Sequence, residues 1–351
     1  MSRSKVLIFT LGAIGGAERM AITIGKLLPT SSYHVKFVVL GDNYKIMDFM
    51  PKGYDVNKLS YNTKSIASIV RIWWTIKKEK PNIVFGTQAR INPQVTIASR
   101  LAGRKVLIRS SGMLSDYKGL KFLMAKWFYP LADVIIAQQE EMRIEIAELC
   151  NIKPNKIVTL HNVLDIDNID AMIRVPSPFP QQQVYNFVNV ARLSSVKGHE
   201  IAIKAMAIVR RSIPNSHLYF IGPLDNQVLY SDLLKMVSKL HLDNYVHFVG
   251  YDSNPYRWVK YCDCFVFPSR SEGLPNALIE ASYIGVPCVA SMCLEIVGDI
   301  IKDGYNGYTT KVGDVEEFAC GMMKAIKLKN FEMVYKPSSK ESFVDLFNSL
   351  I

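Results

Sequence analysis

The chain has 351 residues, 49% of them apolar, with 42 Lys and Arg against 31 Asp and Glu and a formal charge of +11. This is the composition of a packed globular protein long enough for two domains, and it excludes a disordered or low-complexity chain. No apolar run approaches the roughly 18 residues of a membrane-spanning helix. The start, MSRSKVLIFTLG, enters a strand pattern directly, without the apolar stretch and small-residue cleavage site of a secretory signal.

Charge is uneven along the chain. Residues 1–175 hold 25 basic and 14 acidic residues, which leaves 17 and 17 for the remainder. A basic half beside a neutral half predicts two domains with different partners, and basic surfaces favour nucleic acid, anionic lipid or phosphorylated ligands. The six cysteines (150, 262, 264, 288, 293, 320) are scattered. Cys262 and Cys264 form a C-x-C without a second ligand pair, so they read as buried thiols in a strand rather than a metal site, and a reducing cytoplasm is the simplest home.

In chain order, the first half alternates short β-branched runs with helical patterns. The runs are KVLIFT (5–10), HVKFVVL (34–40), NIVFGT (82–87), KVLIRS (105–110), DVIIAQ (133–138) and KIVTLHN (156–162). Helical periodicity falls at 17–28, 64–80, 90–102 and 118–130. This is the pattern of βαβ units around a parallel sheet. RVPSPFPQQQ (174–183) has no periodicity and reads as a linker, here placed at 176–183. The alternation restarts with YNFVNVA (185–191), HLYFIG (217–222), YVHFVG (245–250), CFVFPS (264–269) and PCVAS (287–291), with helices between them at 198–212, 227–240, 254–260 and 275–284. The expected architecture is α/β with two Rossmann-like domains facing across a cleft: 1–175, then 184–337, with a helix over 338–351. Ligands of such sheets sit beyond the carboxyl ends of the strands.

Chemistry concentrates in SRSEGLPNALIEASYIGVP (269–287). An apolar strand ends, the chain turns through Ser-Glu-Gly, and a helix opens at Pro275, whose φ is pre-set and whose missing N–H is not needed there. Gly273 lets backbone approach a ligand, and amides over 274–277 (Leu274, Pro275, Asn276) at a positive helix end suit an anion. Glu272 precedes that end and Glu280 lies about one and a half turns into the helix, so two carboxylates flank a phosphate-sized site. A nucleotide sugar, with hydroxyls on both sides of a diphosphate, has that shape. The competing reading is a core helix with two solvated acids. FVNVARLSSVKGHEIAIKA (187–205) supports the first: Arg192 and Lys197 follow a strand end and could hold a diphosphate without a divalent metal. In TLGAIGGAERMAITIGKLL (10–28) the glycines are spaced G-x-x-G-G at Gly12, Gly15 and Gly16, which disfavours a dinucleotide loop and suits a backbone approach to a ligand.

The E-x7-E element (Glu272 to Glu280), the R-x4-K of NVARLSSVKG, the leading GGAER and FPSRSEG together resemble retaining glycosyltransferases of family 4, with GT-B architecture, over nearly the whole chain. The resemblance implies that Arg192 and Lys197 grip the donor diphosphate, that Glu272 meets the donor hexose near the reacting carbon, and that Glu280 binds ribose hydroxyls. It further implies that Gly15, Gly16 and the backbone of Gly273, Leu274, Pro275 and Asn276 line sugar and phosphates, and that the tail helix crosses back to the first domain. Bacterial enzymes building O-antigen, capsule, lipopolysaccharide or lipid-linked oligosaccharides are nearest in character, with UDP the default nucleotide. The stretch Ile108–Met113 often carries a histidine in that family. Here it reads IRSSGM, and Arg109, Ser110 or Ser111 takes its place. The implied reaction retains anomeric configuration and needs no metal or other cofactor. Asp165-Ile-Asp167, a D-x-D, reads as capping or solvated acids.

The basic half supplies the expected acceptor and membrane side. Lys64, Arg71 and Lys78 are seven apart on one helical stripe beside Trp73 and Trp74, and KGLKFLMAKWFYP (118–130) mixes Lys121 and Lys126 with Leu120, Leu123 and Trp127. Basic-aromatic helices of this kind lie at anionic interfaces or grip a lipid diphosphate. The expected partners are a nucleotide sugar, a saccharide or polyprenyl-diphosphate-linked acceptor and the inner face of the cytoplasmic membrane, to which a cytoplasmic protein would bind peripherally. Two other functions share the composition. A nucleic-acid binder would need base-stacking aromatics on a sheet face or a recognition helix, and neither pattern occurs. A nucleotide-sugar epimerase of the same architecture would need histidines around the sugar. His34, His217 and His247 fall in strand runs, His241 at a helix end, and His161 and His199 at strand-end and cap positions.

Overall fold

A computed structural model of the chain describes residues 3–13, 15–42, 44–62, 65–180 and 184–351. It forms two compact units, Met1–Val163 with Pro337–Ile351, and Leu164–Lys336. Each is built on a parallel sheet. The first sheet contains β1 (Ser4–Leu11), β2 (Tyr33–Leu40), β3 (Asp55–Leu59), β4 (Ile83–Gly86), β5 (Lys105–Arg109), β6 (Val134–Ala137) and β7 (Ile157–Thr159), in the order β3-β2-β1-β4-β5-β6-β7. The second contains β8 (Tyr185–Val190), β9 (Ser216–Ile221), β10 (Val246–Gly250), β11 (Cys264–Phe267), β12 (Cys288–Ser291) and β13 (Gly307–Thr310), in the order β10-β9-β8-β11-β12-β13.

The continuous apolar character of the central strands follows from helices covering both faces of each sheet. In β1, Leu7 and Phe9 pack into one core with Val84 and Val106, while Val6 and Ile8 pack into the opposite one with Phe37 and Phe85. The second unit divides its core the same way, with Val188 and Phe265 on one face and Phe187 and Val266 on the other. Register is fixed by this two-sided burial: Val6 lies opposite Val35 and Ile83, and Phe265 opposite Cys288. Cys262, Cys264 and Cys288 are buried thiols, which burial pushes far above the usual cysteine range.

Two strands escaped the sequence reading, and both are edges. DVNKL of β3 and GYTT of β13 pair on one side only and carry polar residues, so neither has the apolar run of an interior strand. The units also part earlier than the expected 176–183 linker, of which residues 181–183 lie outside the described residues. Leu164, Ile169, Met172, Ile173 and Phe179 pack on the second core, Phe179 lying 5.0 Å from the Tyr219 ring and 5.4 Å from Trp258. Asn254 Nδ2 donates to the Met172 carbonyl and the Tyr261 hydroxyl to that of Val175, both at 2.8 Å. The segment before the Pro-rich stretch is therefore a packed part of the second unit.

The tail helix Lys340–Asn348 belongs to the first unit. Phe343 and Phe347 are fully buried there, Phe347 sits edge-on to Tyr33 and Phe85, and the Tyr33 hydroxyl donates to Asn348 Oδ1 at 2.6 Å.

Candidate active site

Each sheet runs outward to one edge and then resumes from its middle, between β1 and β4 in the first and between β8 and β11 in the second. Loops leaving the two strands at such a point diverge and leave a crevice at their carboxyl ends, where open α/β sheets take ligands. In the second unit β8 and β11 are direct partners, Phe187 opposite Cys264 and Val188 opposite Phe265. The loop after β8 carries Arg192 and Lys197, and the loop after β11 carries Glu272, so sheet order brings distant sequence together.

Three contacts fasten these loops to each other. The Arg270 N–H donates to the Val196 carbonyl at 2.7 Å, and the Arg270 guanidinium pairs with Glu200 at 2.5 Å. Gly198 has φ +64°, and a Cβ there would run into the Pro268 carbonyl, so glycine alone permits the approach. At the centre, Lys197 Nζ lies 2.5 Å from Glu272 Oε1, and Ser269 Oγ donates to the same oxygen at 2.8 Å. The Lys197 and Glu272 side chains are only 20% and 10% exposed, so this is a half-sequestered pair rather than a surface contact. Ser269 was not singled out from the sequence, although it stands in the FPSRSEG stretch.

The helix after Glu272 spans Asn276–Ile284, with Pro275 at its N-cap. The expected comb of free amides over 274–277 needs correction. Pro275 has no N–H, and the Asn276 N–H is already given to the Leu274 carbonyl at 2.9 Å. Leu274 is buried and packs in the core, so it can meet a ligand only through its backbone, while Gly273 is half-buried. Glu280 Oε1 accepts from the Tyr256 hydroxyl at 3.2 Å, a partner 24 residues away that no local pattern signals. Arg192 is exposed and lines an open recess of about 500 Å³ with Ser194, Ser195, Pro223 and Asn226. Two backbone bonds anchor this loop to the end of β9, from Ala191 N to the Ile221 carbonyl and from Leu193 N to that of Pro223.

His199, beside this loop, is 2% exposed and its ring lies tilted against that of Phe220, with centroids 5.1 Å apart. Burial lowers its pKa from 6.5 to about 4, the neighbouring Glu200 opposing the shift, so the ring is neutral at physiological pH. An unfolded chain takes up that proton near pH 6.5 and the folded chain only near pH 4. Stability is therefore complete above about 6.5 and falls as the pH drops towards 4, by about 3 kcal/mol for this group. Urea unfolding across that window should show the loss, and His199→Gln should flatten it. A variant as pH-sensitive as the parent contradicts the assignment.

In the first unit, Gly15 is the N-cap of the helix Gly16–Leu27. A Cβ on Gly15 would lie 2.6 Å from Glu18 Oε2, so the side-chain-free position leaves room for the Glu18 carboxylate to fold back over the helix start. Of the expected basic stripe, Lys64 lies outside the described residues and the helix begins at Ile66. Arg71 Nη1 donates to the Ser60 carbonyl at 3.3 Å, and Lys78 stands over the exposed Trp74 ring, whereas Trp73 packs into the core. The second basic-aromatic helix runs Leu120–Phe128, shorter than expected because Gly119 at φ +56° turns the chain just before it. Lys121 Nζ sits 3.4 Å over the Tyr117 ring, and Lys126, Leu120, Leu123 and Trp127 are exposed. Ser111 is half-buried, whereas Arg109 at the end of β5 is fully enclosed, its Nη2 donating to Asn162 Oδ1 at 2.5 Å. Burial lowers the Arg109 pKa to about 10, still cationic at neutral pH.

Two Rossmann-like units, of seven and six strands, constitute the GT-B architecture. The chain belongs to the family 4 glycosyltransferases: the profile described as Glycosyltransferase Family 4 matches residues 14–168, and that of Glycosyl transferases group 1 matches 174–342. An uncharacterised glycosyltransferase of Methanocaldococcus jannaschii is 32% identical over 181 residues, 50% of this chain and 44% of that protein. The N-acetylgalactosamine-N,N'-diacetylbacillosaminyl-diphospho-undecaprenol 4-alpha-N-acetylgalactosaminyltransferase of Campylobacter jejuni is 24% identical over 97% of this chain and 94% of its own. Anabaena HepE, solved with UDP and glucose, shares the fold with a TM-score of 0.81 at 18% identity over 99% of each chain. Among the described residues no helix is long and apolar enough to cross a membrane.

Proposed function

We propose that the chain transfers a hexose or N-acetylhexosamine from a UDP sugar to a saccharide or polyprenyl-diphosphate-linked saccharide, with retained anomeric configuration and without a metal, in bacterial surface polysaccharide synthesis. The observation that carries this reading is the Lys197–Glu272 pair at the β8–β11 switch point. The nucleoside diphosphate must leave as an anion, so fixed positive charge beside the breaking bond is the largest stabilisation needed. Lys197 and Arg192 supply it. On donor arrival the diphosphate competes with Glu272 for Lys197, and the freed Glu272 carboxylate, still held by Ser269, accepts from sugar hydroxyls near the anomeric carbon. Glu280, oriented by Tyr256, takes the ribose hydroxyls. Departure and attack then occur on the same face of the sugar, with no protein nucleophile. The lipid-diphosphate acceptor named for the Campylobacter relative supports the acceptor class, and the UDP bound to HepE supports the nucleotide.

A panel of nucleotide sugars offered to the purified protein with an acceptor tests this directly. One UDP sugar is expected to release UDP and raise the melting temperature, and a silent panel overturns the reading. Isomerised sugar in the absence of acceptor would instead establish the epimerase.

The same reading places the protein peripherally on the cytoplasmic face of the membrane. Support comes from Trp74, Leu120 and Trp127, 59%, 69% and 60% exposed among lysines of the basic unit. Vesicles containing anionic lipid should pull the protein down at low salt and release it as salt rises, because surface attraction is screened within a Debye length of about 10 Å at 0.1 M. Absence of binding, or binding indifferent to salt, counts against it.

A further inference from the structure

The loop that leaves the carboxyl end of β10 holds a carboxylate to which the proposed reaction gives no part. The Asp252 side chain is 14% exposed and accepts four hydrogen bonds. Oδ1 takes the Asn254 N–H at 2.8 Å. Oδ2 takes the Trp258 indole N–H at 2.8 Å and the Arg257 guanidinium, at 3.2 Å from Nε and 2.8 Å from Nη2. Every donor comes from residues 254–258, so one carboxylate gathers this stretch around itself.

The element it gathers is too short to hold itself. The helix Tyr256–Tyr261 has 6 residues, below the roughly 12–15 that make a helix stable alone. Its N-cap is Pro255, whose side chain offers no acceptor. The Arg257 N–H instead donates to Asn254 Oδ1 at 3.4 Å. Asn254 is placed in turn by Asp252 at its N–H, and by the Met172 carbonyl at its Nδ2. Asp252 therefore sets where the helix starts, and the first residue of that helix is Tyr256.

Tyr256 joins the stretch to the donor site. It packs in the same core as Leu278 and Ile279 of the helix Asn276–Ile284, and its hydroxyl donates to Glu280 Oε1 at 3.2 Å. At that length a displacement of about 1 Å breaks the bond. A carboxylate that accepts two neighbouring hydroxyls must keep one plane, and a satisfied, mostly buried polar network is what rigidifies such a group.

We propose that Asp252 is a positioning residue of the donor site: by fixing the Tyr256 helix it holds the Glu280 carboxylate in the plane that recognises the ribose diol. It thereby sets the preference for ribonucleotide donors. The proposal rests on the reading that Glu280 takes the ribose hydroxyls, and it deepens that reading.

Affinities for UDP and for 2′,3′-dideoxy-UDP are measured by calorimetry, and their ratio is the readout. A purely structural role for Asp252 would lower the melting temperature and leave the ratio alone. The parent is expected to prefer UDP by at least about tenfold, the scale of a hydrogen bond to a charged group, and Glu280→Ala to lose the preference. Tyr256→Phe should cut the ratio by about fivefold, and Asp252→Ala by a similar factor. The Asp252→Ala/Tyr256→Phe double variant should match Tyr256→Phe alone, because the two residues act in series. An Asp252→Ala protein whose ratio stays within about twofold of the parent's overturns the proposal. So does a double variant in which the two losses multiply. If the parent does not distinguish the nucleotides, or Glu280→Ala keeps the preference, the ribose reading fails and the proposal with it. A preference that depends on Glu280 and not on Asp252 sinks the proposal alone. Should Asp252→Ala fail to fold, Asp252→Asn takes its place under the same criteria, since it keeps the size and removes the charge that holds Arg257.

Discussion

Glu272→Gln is expected to reduce turnover by about 100- to 1,000-fold, the usual scale for removing one preorganised electrostatic group, while the affinity for UDP becomes no weaker. The second half of that expectation is specific to this structure. Without ligand, Lys197 is tied to Glu272 at 2.5 Å, so the diphosphate must draw the cation away from its carboxylate. Glutamine keeps the volume and can still accept from Ser269, which bonds Glu272 at 2.8 Å, but it removes the charge that competes for Lys197. Titration of UDP by calorimetry, beside steady-state rates and a melting curve, separates the two effects. Unchanged turnover would refute the role of Glu272, and a large loss of UDP affinity would mean that Glu272 binds nucleotide rather than sugar.

Lys197→Ala is expected to act in the opposite sense. A charge-assisted hydrogen bond contributes roughly 1.5–3 kcal/mol, so UDP affinity should fall about 10- to 100-fold, with turnover falling as well because the leaving group loses its cation. The variant also leaves Glu272, 10% exposed, without its counter-charge, which should lower the melting temperature measurably. Lys197→Arg offers a control: it restores charge without the same reach, and partial recovery of UDP binding is expected. An alanine variant that binds UDP as well as the parent would move the diphosphate elsewhere.

What could be read from sequence follows from how each element is buried. Interior strands such as KVLIFT and CFVF are covered on both faces and announce themselves as continuous apolar runs. The edge strands Asp55–Leu59 and Gly307–Thr310 lie at sheet margins and carry polar residues, so the continuous apolar run of an interior strand is missing. The first half of the connecting segment looked like the end of a domain because proline and glutamine follow it. Its Ile169 is nevertheless a core residue, with Leu164 and Met172 packed against the same core, and helical spacing alone cannot say which core they enter. At the candidate site, motif spacing singled out Glu272, Glu280, Arg192 and Lys197, and the family resemblance supplied the roles expected of them. It could not give the Lys197–Glu272 pair or the Tyr256–Glu280 bond, which depend on β8 lying beside β11 and on a helix packing across 24 residues. The amide comb failed for a local reason: a turn that closes on itself through Asn276 N and the Leu274 carbonyl consumes a donor that spacing had counted as free. Arg109 was legible as a strand-end cation. Its enclosure was not, since burial of a charge is a property of everything packed around it.

Holding a diphosphate with side-chain cations, in place of a divalent ion, is the physical core of the proposed reaction. Turnover of protein stripped with a chelator, measured against the same protein resupplied with magnesium or manganese, tests it most directly. Equal rates with and without added metal are expected, together with loss of activity in Lys197→Ala that no metal restores. Abolition of turnover by the chelator, with recovery on adding either metal, would contradict it.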